Sequence, residues 1–565
     1  MFPVRLPDNL CPKFFRSLIN SPSAISHYRF GSISRHNLPD SSLSRKLASY
    51  LAARLNEYHK VNYSNEFWSG LLQPSLQILL EQLSDANDFL SRLSSDEIIR
   101  FFDRPLDADN PYLDLEYRDL VRLFVNFCIL PNRRMSKVIS LCSCRNTPNS
   151  RITLSQYIFS VVHAFSSLVR LFRFISRIVF TCKIRFGFFR NIDVVFFQRI
   201  LSNDAQFSVS SYLSQSGYTS KSIYNINVVS PLNFTSFFKH KHNAFRLQKF
   251  SSRIVLGLGP IDSFLEHYIL RILPTYAVEH FHYYHSIAKR LSSPHIVCKC
   301  PTADEPLLRH IIAQKAHTSQ LLITFQHGGG YGVHTSPHLD LEYTYSDIFF
   351  PWFKSKSGPA GSIVHPSMNE FVTSDNNTNK YSTDVLIIGT SLKSFFRYNL
   401  GLLPGSNYLY INKLKQLILL LLANNISLKY RPYTSNPDYV CESIPSLNVD
   451  RSPLHSQIAS SRAIIVCKPT TVVEQVLLSN RVPFLFWGDE VCMDRQALQT
   501  LQSHPLSSIY SSSPDQMCNM IIDFIHNSTP TLPSLLPSLS YLFGTTIASP
   551  ESVATNIKMT IQSAH

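Results

Sequence analysis

The chain has 565 residues, too many for one hydrophobic core and enough for two domains with added segments. Apolar residues make up 44% and charged residues 16%, which excludes a disordered or low-complexity protein. The net charge of +15 points to a phosphorylated partner, a nucleic acid or an anionic membrane surface.

Residues 1–130 read as a helical N-terminal part. Apolar residues recur at three and four positions over Leu51–Leu55 and Leu71–Leu83, and Pro105 to Pro111 marks a break. Asp8, Pro12 and Lys13 interrupt any signal-peptide pattern at the start. Residues 131–190 form a basic amphipathic segment with eleven Lys/Arg and no Asp or Glu. Arg170, Arg173 and Arg177 share one helical face among Phe, Leu, Ile and Val, a pattern suited to the interface of an anionic membrane. The other reading is a helix packed into the N-terminal part with its arginines in water. The charge-free window 152–169 carries Ser155, Gln156, Ser160 and His163 and is too polar for a span, so the expectation is a cytoplasmic protein, peripheral at the inner face of the cytoplasmic membrane.

Residues 191–250 look irregular and polar. Strand and helix signals then alternate: Ile254–Leu258 as a strand, helical periodicity over 261–287, His295–Cys300 as a strand, Pro306–Lys315 as a helix, and Leu321–Phe325 as a strand. This rhythm predicts a parallel sheet covered by helices, assigned to residues 191–370. A Ser/Asn/Thr/Gly/Pro-rich linker occupies 354–382. A second alternating unit follows at 384–530, and residues 531–565 are expected to pack back as helices. The fold class is α/β with two Rossmann-like domains, a helical N-terminal extension and a basic helical insertion.

Ligands of open parallel sheets bind beyond the carboxyl ends of the strands, and four such exits carry suggestive residues. After Leu321–Phe325 comes Gln326-His327-Gly328-Gly329-Gly330-Tyr331-Gly332, which holds four of the chain's 17 glycines. It reads either as a tight turn or as a loop whose amides approach a ligand beside a proton-exchanging histidine. Gly389-Thr390-Ser391 leaves a strand and opens a helix, so its amides suit phosphate. Arg431 leaves a strand with a fixed charge suited to bidentate phosphate binding. Lys468-Pro469-Thr470-Thr471-Val472-Val473-Glu474 reads either as a capping box, Thr471-x-x-Glu474, or as a diphosphate site in which Glu474 accepts from a ribose. The eleven cysteines are scattered; Cys142/Cys144 and Cys298/Cys300 lack zinc-site spacing, so no metal site is expected.

The run Gln326–Gly332, with Glu342, Ser346-Asp347 and Trp352 after it, resembles a bacterial family of transferases associated with surface-carbohydrate biosynthesis. Asn65–Leu83, Leu273-Pro274 with Glu279, Arg431-Pro432-Tyr433, and Thr470-Thr471 with Glu474, Asn480, Pro483 and Trp487 extend the resemblance over roughly residues 50–490. That family is similar to glycosyltransferases of the GT-B type and, more remotely, to capsule-polysaccharide and CDP-glycerol glycerophosphate transferases. The resemblance implies two domains facing a cleft, a nucleotide-sugar-type donor in the C-terminal domain, and a glycan or lipid-linked acceptor in the N-terminal one. It implies His327 as the catalytic base. Gln326, Gly328, Gly329, Gly330, Tyr331, Thr390, Ser391, Arg431, Thr470, Thr471 and Glu474 would bind substrate, with no cofactor beyond the donor and no metal. The competing readings are a nucleotide-sugar epimerase or hydrolase on the same fold, and a non-catalytic protein that binds an anionic glycan or lipid. No nucleic-acid module is recognisable, so nucleic acid is not an expected partner.

Overall fold

The computed structural model describes residues 39–91, 124, 127–128, 192–197, 203–223, 244–248, 250–291, 295–299, 305–326, 328–334, 337–353, 381–390, 407–432, 440–441, 444, 446–488, 490–491, 493–545 and 549–563. The basic segment with Arg170, Arg173 and Arg177 lies outside the described residues, as do His327 and Ser391.

Two packed helices come first, α1 (Ser41–His59) and α2 (Asn65–Ser91). Asp40 caps α1 by accepting from the Ser42 N–H at 3.1 Å. Leu47, Leu51 and Leu55 recur every four residues and are buried along one face. The chain then runs through β1 (Val194–Phe197), α3 (Asn203–Gln215), β2 (Ser220–Ile223), α4 (Pro260–Ile272), α5 (Phe281–Arg290) and β3 (His295–Cys298). It continues as α6 (Pro306–Gln314), β4 (Leu322–Phe325), α7 (Pro337–Tyr345) and β5 (Ile348–Phe350). These five strands form one parallel sheet in the order β2-β1-β3-β4-β5.

The second unit comprises β6 (Thr383–Ile388), α8 (Asn407–Ala423), β7 (Leu428–Arg431), α9 (Leu454–Ser460), β8 (Ser461–Val466) and α10 (Thr471–Leu478). It is completed by β9 (Pro483–Phe486), α11 (Arg495–Gln502), β10 (Tyr510–Ser511) and α12 (Pro514–Asn527). Its sheet is also parallel, with order β10-β9-β8-β6-β7. Counted from its own first strand this is the same 2-1-3-4-5 arrangement, so each sheet changes direction beside its first strand, at β1/β3 and at β6/β8. Helix α13 (Leu532–Leu542) buries Leu535, Leu539 and Leu542 in the second core. Helix α14 (Pro550–Ser563) crosses back and lies on α3, placing Val553, Ile557 and Ile561 in a core with Val194 and Phe196 of the first sheet. The protein is therefore an α/β fold of two Rossmann-like units preceded by a helical part.

Two local expectations need correction. Ile254–Leu258 is not a strand, because carboxylates of α4 take its amides. Glu266 accepts from Ile254 at 2.9 Å, and Asp262 accepts from Leu256 at 3.0 Å and from Gly257 at 2.9 Å. The strands that complete the first sheet lie instead in the stretch read as irregular. Val194-Val195-Phe196-Phe197 is a four-residue apolar run, buried throughout, that pairs with both β2 and β3.

Candidate active site

The strand exits of the two sheets meet. Beyond β4, Gln326 fixes the start of the glycine loop from inside. Its N–H donates to Phe350 O at 3.1 Å, its side-chain NH2 donates to Gly328 O at 2.6 Å, and its Oε1 accepts from Trp352 N–H at 2.8 Å. Tyr331 is buried and donates its hydroxyl to Glu342 Oε2 at 2.8 Å. Both side chains thus hold the loop in place and are turned away from solvent.

The loop itself is docked on the second unit. Gly329 N–H donates to Thr471 Oγ1 at 3.0 Å. A Cβ on Gly329 would stand 2.1 Å from a Glu474 carboxylate oxygen and 2.5 Å from Thr471 N, so only glycine fits there. Gly330 has φ +85°, and a Cβ on it would meet Pro469 O at 2.3 Å. Farther on, Val333 enters the hydrophobic core of the second unit. His334 Nε2 lies 3.1 Å from Pro469 O, and Asp494 N–H donates to Val333 O at 2.8 Å. The glycine loop is a strut between the units.

On the other side of this contact, α10 is capped by Thr470, whose side chain accepts from Val472 N–H at 3.4 Å. The capping box expected from Thr471-x-x-Glu474 is therefore not formed: the cap is Thr470, and the residue three positions on is Val473, which cannot reciprocate. Thr471 is the first helical residue, and its hydroxyl is used by Gly329. Glu474 is fully buried, and neither carboxylate oxygen makes a hydrogen bond. Burial pushes its pKa up to about 8; the amides of Gly330 and Gly544 nearby act in the opposite direction. At neutral pH this carboxyl is mainly protonated, which is how it tolerates a dry site.

The switch point of the second sheet adjoins the same helix start. Cys467 N–H donates to Ile388 O at 3.2 Å and ties the exits of β6 and β8 together. Thr390 is buried there, with its N–H on the Tyr410 hydroxyl at 3.3 Å. Arg431 ends β7, one strand farther out; its guanidinium donates to Ser452 O, and partial burial lowers its pKa. The structure thus gathers Thr390, Thr470, Thr471, Glu474 and the glycine loop at one place, with Arg431 at its flank.

Sequence reasoning missed several residues here. Lys468 opens the fourth strand-exit run but carries no role in the sequence reading of it; it is buried at the switch point. Beyond β9, Lys413 Nζ pairs with Glu490 Oε2 at 3.0 Å, and Glu490 Oε1 accepts from Gly488 N–H at 2.9 Å. Gly488 after an apolar strand gave the same signal as the other two glycine exits. His334 gave none, because its partner is distant in sequence. Among the described residues no group of three His, Cys, Asp or Glu has the geometry to hold a metal ion.

The profile of the LIC12162 family transferases matches residues 37–501, a span that includes both strand-exit clusters. The chain belongs to the LIC12162 transferase family. No curated protein matches it in sequence. Among solved structures, this LIC12162 family transferase is similar at 10% identity to MurG of Acinetobacter baumannii, over 65% of this chain and 99% of that one, with a TM-score of 0.34. It is likewise similar at 10% identity to the spinosyn forosaminyltransferase SpnP, over 66% and 100%, with a TM-score of 0.37. A third is the UDP-GlcNAc 2-epimerase of Neisseria meningitidis bound to UDP-GlcNAc, at 10% identity over 66% and 99%, with a TM-score of 0.33.

Chemically, the junction of the transferase offers helix-start amides, threonine hydroxyls and a buried lysine on the second unit. These are donors suited to an anionic leaving group. The first unit supplies a loop whose backbone reaches the same helix start. In the state described, that loop and an incoming phosphate would compete for Thr471.

Proposed function

We propose that this transferase moves a glycosyl or related group from a nucleotide-activated donor to a glycan or lipid-linked acceptor in bacterial surface-polysaccharide synthesis. One observation carries the reading. The switch point of the second sheet, with Thr390, Lys468 and the Thr470-Thr471 helix start, lies against the glycine loop that leaves the first sheet. A donor held at the switch point would present its reacting carbon to an acceptor on the first unit.

In this proposal His327 takes the proton from the acceptor hydroxyl as it attacks. The amides at the start of α10, the hydroxyls of Thr470 and Thr471, Lys468 and Arg431 offset the charge on the departing diphosphate, so the chain's own donors and cations serve without a metal. Gly328–Gly330 must leave Thr471 for the diphosphate to enter, so donor binding is coupled to separation of the two units at this contact. No helix among the described residues is long and apolar enough to cross a membrane. We assign attachment at the cytoplasmic membrane to the basic face of Arg170, Arg173 and Arg177, where lipid-linked acceptors are presented.

A thermal-shift panel of nucleotide sugars, CDP-glycerol and CMP-activated acids tests the reading, since a bound ligand raises apparent stability by mass action. At least one nucleotide is expected to raise the melting temperature saturably. A flat response across the panel would remove the basis for a nucleotide donor. Acceptor-independent turnover of a nucleotide sugar would favour an epimerase or hydrolase instead.

A further inference from the structure

A second candidate site lies at the far edge of the first sheet. A cavity of about 560 Å³ opens between α1, α2, the end of α6 and the end of α7. Its place is fixed by Lys315, which follows α6 and pairs at 2.7 Å with Asp347, just ahead of β5. The glycine loop, by contrast, leaves the carboxyl end of β4. This cavity is therefore at the opposite end of the strands from the candidate active site, and its volume lies within the range of about 300–1,000 Å³ usual for small-ligand pockets.

The lining mixes apolar groups such as Ile312 and Ala316 with polar and basic ones. Arg45 comes from α1, Ser69 and Gln73 from α2, Lys315 from the end of α6 and Tyr345 from α7, with Glu66 as the one carboxylate. Tyr345 anchors the wall: its hydroxyl is shared between Gln73 Oε1 at 2.9 Å and Ser69 O at 3.1 Å. Lys315 Nζ also donates to Tyr345 O at 2.8 Å. Arg45 has no ion-pair partner among the described residues.

Behind this wall lies a more unusual group. Arg309 is fully buried, and none of its three guanidinium nitrogens makes a hydrogen bond. Its guanidinium carbon is 5.7 Å from the centroid of the Tyr345 ring. Glu342 shares the neighbourhood, since it and Arg309 act with opposite sign on the Cys298 thiol, yet no ion pair joins the two. A buried guanidinium without a bonded counter-ion is costly, and water does not screen its field. Around the cavity there are thus Arg45 and the Lys315–Asp347 pair, with Arg309 and Glu342 behind Tyr345 and Glu66 in the lining.

We propose that this cavity binds a phosphomonoester of monosaccharide size, with the phosphate on Arg45 and Lys315 and the sugar hydroxyls on Asn65 and Ser69 beside the Tyr345 ring. The charge of Arg45, which no carboxylate among the described residues pairs, favours a dianion over a neutral sugar. The site acts apart from the donor crevice and does not depend on the transferase reading.

The test uses the full chain and calorimetric titration at fixed ionic strength, with glucose 1-phosphate, inorganic phosphate, glucuronate and glucose as probes. Glucose 1-phosphate is expected to bind saturably and more tightly than the other three. Arg45→Ala, an exposed position on α1, should weaken it about tenfold, as loss of one charge-assisted contact does, whereas Arg431→Ala should leave it unchanged. Absence of saturable binding would overturn the proposal, as would equal binding of glucose or glucuronate. Loss of binding in Arg431→Ala with full binding in Arg45→Ala would place the phosphate in the donor crevice and overturn it as well.

Discussion

At the scale of single residues, the glycine loop is held by Gln326, by the Tyr331–Glu342 bond and by the start of α10, and the last of these contacts is directly testable. Gly329→Ala would drive a methyl group into Glu474 and the start of α10. Overpacking of this kind costs about 1–3 kcal/mol, so chemical denaturation should show a loss of that size. Unchanged stability would mean that the loop is not docked as described. His327→Ala should lower turnover by a factor of about 10²–10⁴ while nucleotide affinity is kept, measured by steady-state rates beside equilibrium binding. Full activity in that variant would end its assignment as the base. The strand-exit residues Thr390, Arg431, Thr470 and Thr471 were legible in the sequence because an apolar run followed by Gly, Thr or Arg marks the end of a buried strand. What Gly329 touches was not legible, because Thr471 stands 142 positions away and only tertiary packing brings the two together.

At the scale of elements, two groups of buried ionisable side chains oppose each other in pH. His285 on α5 and His310 on α6 are held neutral by burial, with pKa values pushed down to about 4 and about 3 from 6.5. Their contribution is complete above pH 6.5 and is lost as pH falls toward those values, because the unfolded chain then binds protons that the folded one refuses. Glu474 at the start of α10 and Glu81 on α2 have the reverse sign, raised to about 8 and about 7 from 4.5. Their contribution is complete below pH 4.5 and is lost as pH rises through 7 and 8. Denaturation midpoints should therefore fall on both sides of a maximum near pH 6, and Glu474→Gln should flatten the alkaline side. An alkaline limb unchanged in Glu474→Gln would show that this carboxyl is not held dry against the loop. The same scale shows where pattern reading fails. The amides of Ile254, Leu256, Gly257 and Leu258 bond to carboxylates of α4, so an apolar stretch with the look of a strand is not free to pair as one. β1 is too short for alternation to be read, and only its pairing on both sides identifies it.

At the scale of the whole molecule, two sheets of the same 2-1-3-4-5 order are joined at their strand exits by the glycine strut and at their flank by α14. The alternation of strands and helices foretold two parallel sheets. Their docking depends on Val333, His334 and Pro469, residues of no distinctive type. On the proposed reading the strut releases α10 before a diphosphate enters, and Arg170, Arg173 and Arg177 hold the enzyme at an anionic membrane. Replacing Arg170, Arg173 and Arg177 by Glu should release the protein from anionic vesicles in a flotation assay; undiminished binding would refute the membrane role of that face. The central claim, a nucleotide-activated donor at the second sheet's switch point, is tested most directly by calorimetric titration of the tightest nucleotide from the panel. Wild type and Arg45→Ala should bind it equally and saturably, and Arg431→Ala should bind it at least about tenfold more weakly. Equal binding by all three, or no binding by wild type, would contradict the account.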